Sequence, residues 1–145
     1  MASLIIETGV KEYDLNDVVT VKFNPTDMNF VKRYYDQIEA LEDKVGGWEE
    51  TFKKASGTKE IFSLTESAEA DIRNALNSLF NVDIVTPLIG DASVFSYAGG
   101  SPVWWNICTV LTDLIEKETK EEQKKSKVKI AKYTSKYKNG SKYHP

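Results

Sequence analysis

The chain has 145 residues, of which 41% are apolar and 28% charged, enough to bury one core and short for two domains. Its single cysteine, Cys108, and single histidine, His144, exclude an internal disulfide and zinc sites built from Cys and His clusters, and argue against a Ser-His-Asp triad. The net charge of −3 divides unevenly: residues 1–122 hold all 22 acids and 11 of the 19 bases, net −11, while residues 123–145 hold eight lysines and no acid, net +8.

This composition points to a protein that is not an enzyme and needs no cofactor or metal. The N-terminal stretch Met1 to Glu7 has no basic flank and only three consecutive apolar residues, unlike a secretory signal. No run approaches the ~18 apolar residues that a membrane-spanning helix requires. With one unpaired cysteine, the expected compartment is a reducing cytoplasm, with no membrane partner.

The first elements read as strands, over about residues 3–23. Leu4-Ile5-Ile6-Glu7 suits a short strand, Thr8-Gly9 a turn, and Val10 to Tyr13 a strand pairing back. Val19, Val21 and Phe23 alternate with Thr20, Lys22 and Asn24, which gives one apolar face. Three helices follow, predicted at about 26–45, 63–81 and 102–122. Asn24 or Thr26 would cap the first, with Pro25 in its opening turn, and Gly46-Gly47 would end it. Its stripe is Val31, Tyr34, Ile38, Leu41 and Val45, a rhythm that Trp48 and Phe52 continue beyond the glycines.

Ser63-Leu64-Thr65-Glu66 fits a capping box opening the second helix. Leu64, Ala68, Ile72, Ala75, Leu76 and Leu79 then recur on one face. A short helical turn over 82–90 would close on Gly90. Ser101 as cap and Pro102 as first residue would start the third helix, whose face is Trp104, Ile107, Cys108, Leu111, Leu114 and Ile115. Glu116 to Lys125 has no apolar face and should project or fray, with Glu116/Lys120 and Glu121/Lys125 as supporting pairs.

The fold class expected is α+β and predominantly α: a short N-terminal antiparallel β-meander on a three-helix body over 1–122. A flexible Lys-rich tail over 123–145 completes it. Lys124, Lys125, Lys127, Lys129, Lys132, Lys136, Lys138 and Lys142 of that tail alternate with Tyr133, Tyr137 and Tyr143. The mixture suits nucleic acid, a solubilising tail, or an acidic protein surface such as the body of a neighbouring copy.

No catalytic constellation emerges. Asp14, Asp17 and Asp27, and Glu42 with Asp43, read as solubilising acids. Gly99-Gly100-Ser101-Pro102 lacks the lysine of a P-loop and reads as a tight loop. Cys108 reads as a buried small hydrophobe.

Two segments resemble small tail-locus proteins of tailed phages and prophages of Gram-positive bacteria. One is Val21-Lys22-Phe23-Asn24-Pro25-Thr26-Asp27-Met28-Asn29-Phe30-Val31-Lys32-Arg33. The other is Val94-Phe95-Ser96-Tyr97-Ala98-Gly99-Gly100-Ser101-Pro102-Val103-Trp104. Those proteins look like tail assembly chaperones. The resemblance implies a non-enzymatic chaperone in the cytoplasm of the bacterial host. It would bind the helical tape measure protein while the tail tube assembles, and would self-associate as a homo-oligomer. Tyr35, Trp48, Phe52 and Trp105, off or at the edge of the core stripes, are the candidate partner-binding residues. The alternatives are a structural tail or head–tail component retained in the particle, and a nucleic-acid-binding accessory protein acting through the basic tail.

Overall fold

A computed structural model describes the backbone of residues 1–141 and all of their side chains except Glu49 and residues 133–141. It is α+β and mainly α. Two strands come first, β1 (Lys11–Leu15) and β2 (Val19–Phe23), followed by helices α1 (Met28–Lys54), α2 (Thr58–Ser78) and α3 (Val85–Ile89). A second small ribbon, β3 (Tyr97–Ala98) with β4 (Ser101–Pro102), leads into the long helix α4 (Val103–Ser141).

The strands form an antiparallel hairpin in which Tyr13 faces Val21 and Leu15 faces Val19. Asn16 and Asp17 turn the chain at φ 53° and 58°, a left-handed pairing that Asn and Asp tolerate better than most residues. The expected strand over Leu4 to Glu7 does not form. Those residues lie outside the sheet and Leu4, Ile5 and Ile6 are exposed, so the sheet is a hairpin, not a longer meander. Thr8-Gly9 instead anchors the segment to the body. The Thr8 carbonyl accepts from Asn24 Nδ2 at 3.1 Å. Gly9 sits at φ 75°, where a Cβ would come within 2.5 Å of that Nδ2, so only glycine fits.

Alternation in β2 produces the apolar face it predicts. Val21 and Phe23 are buried, and the Phe23 ring lies 4.6 Å from Phe30 and 5.0 Å from Phe80. Asn24 does not cap α1. Its Oδ1 accepts from the Thr26 amide and hydroxyl at 2.9 and 2.8 Å, making a turn over buried Pro25. Asp27 is the cap, accepting from the Asn29 amide at 3.0 Å.

Gly46-Gly47 does not end α1, which continues to Lys54. The apolar stripe decides this: Val45 and Trp48, on either side of the glycines, both pack against the core, and packing overrides a propensity cost of about 1 kcal/mol per glycine. Nothing lies within 4 Å of a Cβ at either position. The Gly46→Ala/Gly47→Ala double variant is therefore expected to raise unfolding free energy by about 1–2 kcal/mol, read from urea denaturation.

Helix α2 begins at Thr58, five residues before the predicted capping box. Ser63 and Glu66 thus lie inside the helix, where no orphan amides need caps. Glu60 does the reaching back, its Oε2 accepting from the Ser56 amide at 3.1 Å. The stripe itself buries Ala68, Ile72 and Leu76. Ser101-Pro102 does not open the last helix but pairs with Tyr97-Ala98 as β4. The Val103 and Trp104 amides that begin α4 donate to the Ser96 and Val94 carbonyls at 2.8 and 3.1 Å.

The last helix is the longest element. Helix α4 runs unbroken through residue 122 to Ser141, about 58 Å at 1.5 Å per residue. Lysines are good helix formers. The supporting pairs are Glu121–Lys124 at 3.9 Å and Glu122–Lys125 at 3.5 Å, not those expected from four-residue spacing. Glu118 bonds instead to Lys11 of β1 at 3.0 Å, tying hairpin to helix. Lys142, Tyr143 and His144 lie outside the described residues, as do the side chains of Tyr133, Lys136, Tyr137 and Lys138.

Candidate functional site: two grooves beside helix α4

Trp104, Cys108, Leu111 and Ile115 form the buried stripe of α4. Tyr34 of α1 locks onto it: its buried hydroxyl donates to the Cys108 carbonyl at 2.6 Å and shares a 2.8 Å bond with the Thr112 hydroxyl. Burial raises the Tyr34 phenol far above its ordinary range, so it stays a neutral donor. On each flank of this stripe the helix borders an open groove.

The first groove lies between α1 and α4. Tyr35, Ile38, Trp105 and Cys108 supply its apolar surface, and Glu39, Glu42 and Asp113 its acidic rim. Tyr35 and Trp105 are 43% and 40% exposed and each stands edge-on to a core neighbour, Tyr34 at 5.3 Å and Trp104 at 5.6 Å. Two of the four candidate partner-binding residues therefore meet in one groove of about 610 Å³.

The other two do not join them. Trp48 is half-buried and meets the Phe95 ring edge-on at 6.2 Å. Phe52, half-buried one turn further along α1, lines neither groove. Helix α1 continues through both residues, and Trp48 packs against the core.

The second groove, of about 410 Å³, is lined mainly by aliphatic side chains. Leu15, Ile84, Leu88 and Ile89 form one wall; Val103, Ile107 and Val110 of α4 form the other. Val110 is 62% exposed. It was the available sequence signal, an apolar residue outside the Trp104/Cys108/Leu111/Ile115 stripe with no core position to fill.

Loop residues 90–95 are held in place by Glu69 and Arg73 of α2. Glu69 accepts from the Val94 amide at 3.0 Å and from the Ser93 hydroxyl at 2.9 Å. Arg73 pairs with Glu69 at 2.9 Å and donates to the Gly90 and Ala92 carbonyls at 3.2 and 2.8 Å. Gly90, at φ 60°, closes α3 there.

Cys108 borders the first groove, yet burial, and then the Glu42 charge, pushes its thiol up to about 12. Nucleophilic chemistry needs the thiolate. Native Cys108 should therefore label with iodoacetamide at pH 8 far more slowly than in denaturant. A thiol whose folded pKa exceeds its unfolded value of 9.0 stabilises the fold fully below pH 9. That contribution is lost as pH rises from about 9 to about 12, and a pH series of denaturation midpoints reads it.

Among the described residues, no cluster of three or more His, Cys, Asp or Glu side chains could hold a metal ion. No helix among them is long and apolar enough to cross a membrane. The basic residues Lys124, Lys125, Lys127, Lys129 and Lys132 are exposed on α4 beyond the body. No family model, curated protein or solved structure matches the chain.

Proposed function

We propose that this protein is a non-enzymatic assembly chaperone that holds an amphipathic helix of a phage tape measure protein in the groove beside Val110. The supporting observation is the apolar lining of that groove, Leu15, Leu88, Ile89, Val103, Ile107 and Val110, open to solvent along a rigid helix. A helical client can lay its apolar face into such a groove. The identity of the client rests on the resemblance of residues 21–33 and 94–104 to tail assembly chaperones. In this reading the protein acts in the host cytoplasm.

Co-expression of the full chain with the tape measure protein encoded nearby, followed by size exclusion, tests the proposal. The expected result is a soluble co-eluting complex; a tape measure protein that aggregates alike with and without this chain contradicts it. Mass spectrometry of purified particles separates the chaperone from a retained tail component. Peptides of this chain at abundances near those of known tail subunits would replace the chaperone reading with the structural one.

A further inference from the structure

The charge division in the sequence has a spatial form. Body acids Glu39, Glu42 and Asp113 rim the apolar α1/α4 groove, and among the described residues no basic side chain lines it. Glu39 and Glu42, three residues apart on α1, share one helix face. On the extension of α4, Lys125, Lys129 and Lys132 recur at i, i+4 and i+7, another single face, with Val128 beside them. Those lysines are exposed, and Val128 is 56% exposed. The extension thus offers an apolar side chain next to a row of positive charges, and the groove offers aromatic surface next to negative ones.

A chain cannot satisfy itself in this way. Groove and lysine face lie on the same continuous helix: Lys125 is ~18 Å beyond Asp113 and ~30 Å beyond Trp105 at 1.5 Å per residue. A helix does not fold back across that distance. The complementary surfaces can meet only between molecules.

We infer that the lysine-faced end of α4 docks in the α1/α4 groove of a second copy of this chain. Lys125, Lys129 and Lys132 face Glu39, Glu42 and Asp113 there, and Val128 rests against Tyr35 and Trp105. The two surfaces differ, so the contact is head-to-tail: each copy keeps one free groove and one free helix end, and assembly propagates until a ring closes or a filament grows. This self-association uses the opposite flank of α4 from the Val110 groove and does not depend on the client.

Sedimentation velocity of the full chain alone tests the inference. In about 50 mM salt the mass should exceed 16.4 kDa and rise with protein concentration; in about 500 mM salt it should fall toward the monomer, because screening weakens the charge pairing. Glu39→Lys/Glu42→Lys should weaken self-association at least ~10-fold. Lys125→Glu/Lys129→Glu/Lys132→Glu should do the same, with circular dichroism reporting helix content. Mixing the two variants should give a one-to-one pair, the intact helix end of one docking in the intact groove of the other. A wild-type chain that stays monomeric in low salt overturns the inference. So does association that persists equally in high salt, or association that Glu39→Lys/Glu42→Lys leaves intact.

Discussion

Tyr34→Ala is expected to lower unfolding free energy by about 3–5 kcal/mol, a large share of the ~5–15 kcal/mol that holds a domain of this size together. Tyr34 is fully buried, stacks near Phe30 at 6.3 Å and joins α1 to α4 through its hydroxyl. Truncation to alanine opens a cavity between the two longest helices and removes that hydroxyl. Tyr34→Phe isolates the second effect. It keeps the ring and leaves the Thr112 hydroxyl without its tyrosine partner, for a cost of about 1–3 kcal/mol. Urea denaturation of the three proteins reads both values. A phenylalanine variant as unstable as the alanine variant would mean that the ring contributes little.

Glu69→Ala is the second large effect. One carboxylate holds the Val94 amide, the Ser93 hydroxyl and the Arg73 guanidinium, and Val94 is fully buried. Its removal strands a buried backbone donor and leaves Arg73 without its ion pair. The expected loss is about 1–3 kcal/mol for the orphaned amide alone. Hydrogen exchange should show where it falls: amides over 90–95 should lose protection first, while Ile72 and Leu76 on the same helix keep theirs. Uniform loss across α2 would show that Glu69 supports the whole domain rather than the loop.

Period-two and helical apolar patterns carried most of the fold. Val21 and Phe23, Ala68, Ile72 and Leu76, and Trp104, Cys108, Leu111 and Ile115 are the buried faces their spacing implies. Punctuation misled wherever tertiary packing outweighed it. Gly46-Gly47 are a stop signal in isolation, but Val45 and Trp48 carry the stripe through them. Ser63 to Glu66 has capping-box spacing without being a helix start, because α2 was already under way from Thr58. Ser101-Pro102 matches a helix opening and is instead held by Tyr97-Ala98 across a two-residue ribbon.

The candidate sites were less legible, since a groove belongs to several elements at once. Tyr35 and Trp105 stand out as aromatics beside core stripes, and they share a groove. Trp48 and Phe52 have the same sequence appearance, yet Trp48 packs against the core and neither residue lines that groove. The Val110 groove needs Leu15, Leu88 and Val103 together, residues that no local pattern connects.

A helical client held beside Val110, as proposed, would meet any charge introduced there. Val110 is exposed, so Val110→Glu should leave folding and salt-dependent self-association unchanged while placing a charge in the apolar groove. The most direct measurement is the affinity of the full-length protein for the tape measure protein, wild type against Val110→Glu, with Glu39→Lys/Glu42→Lys as the control on the opposite flank. At least a ~10-fold loss is expected for Val110→Glu and little change for the control. Equal affinity for wild type and Val110→Glu would contradict the proposal.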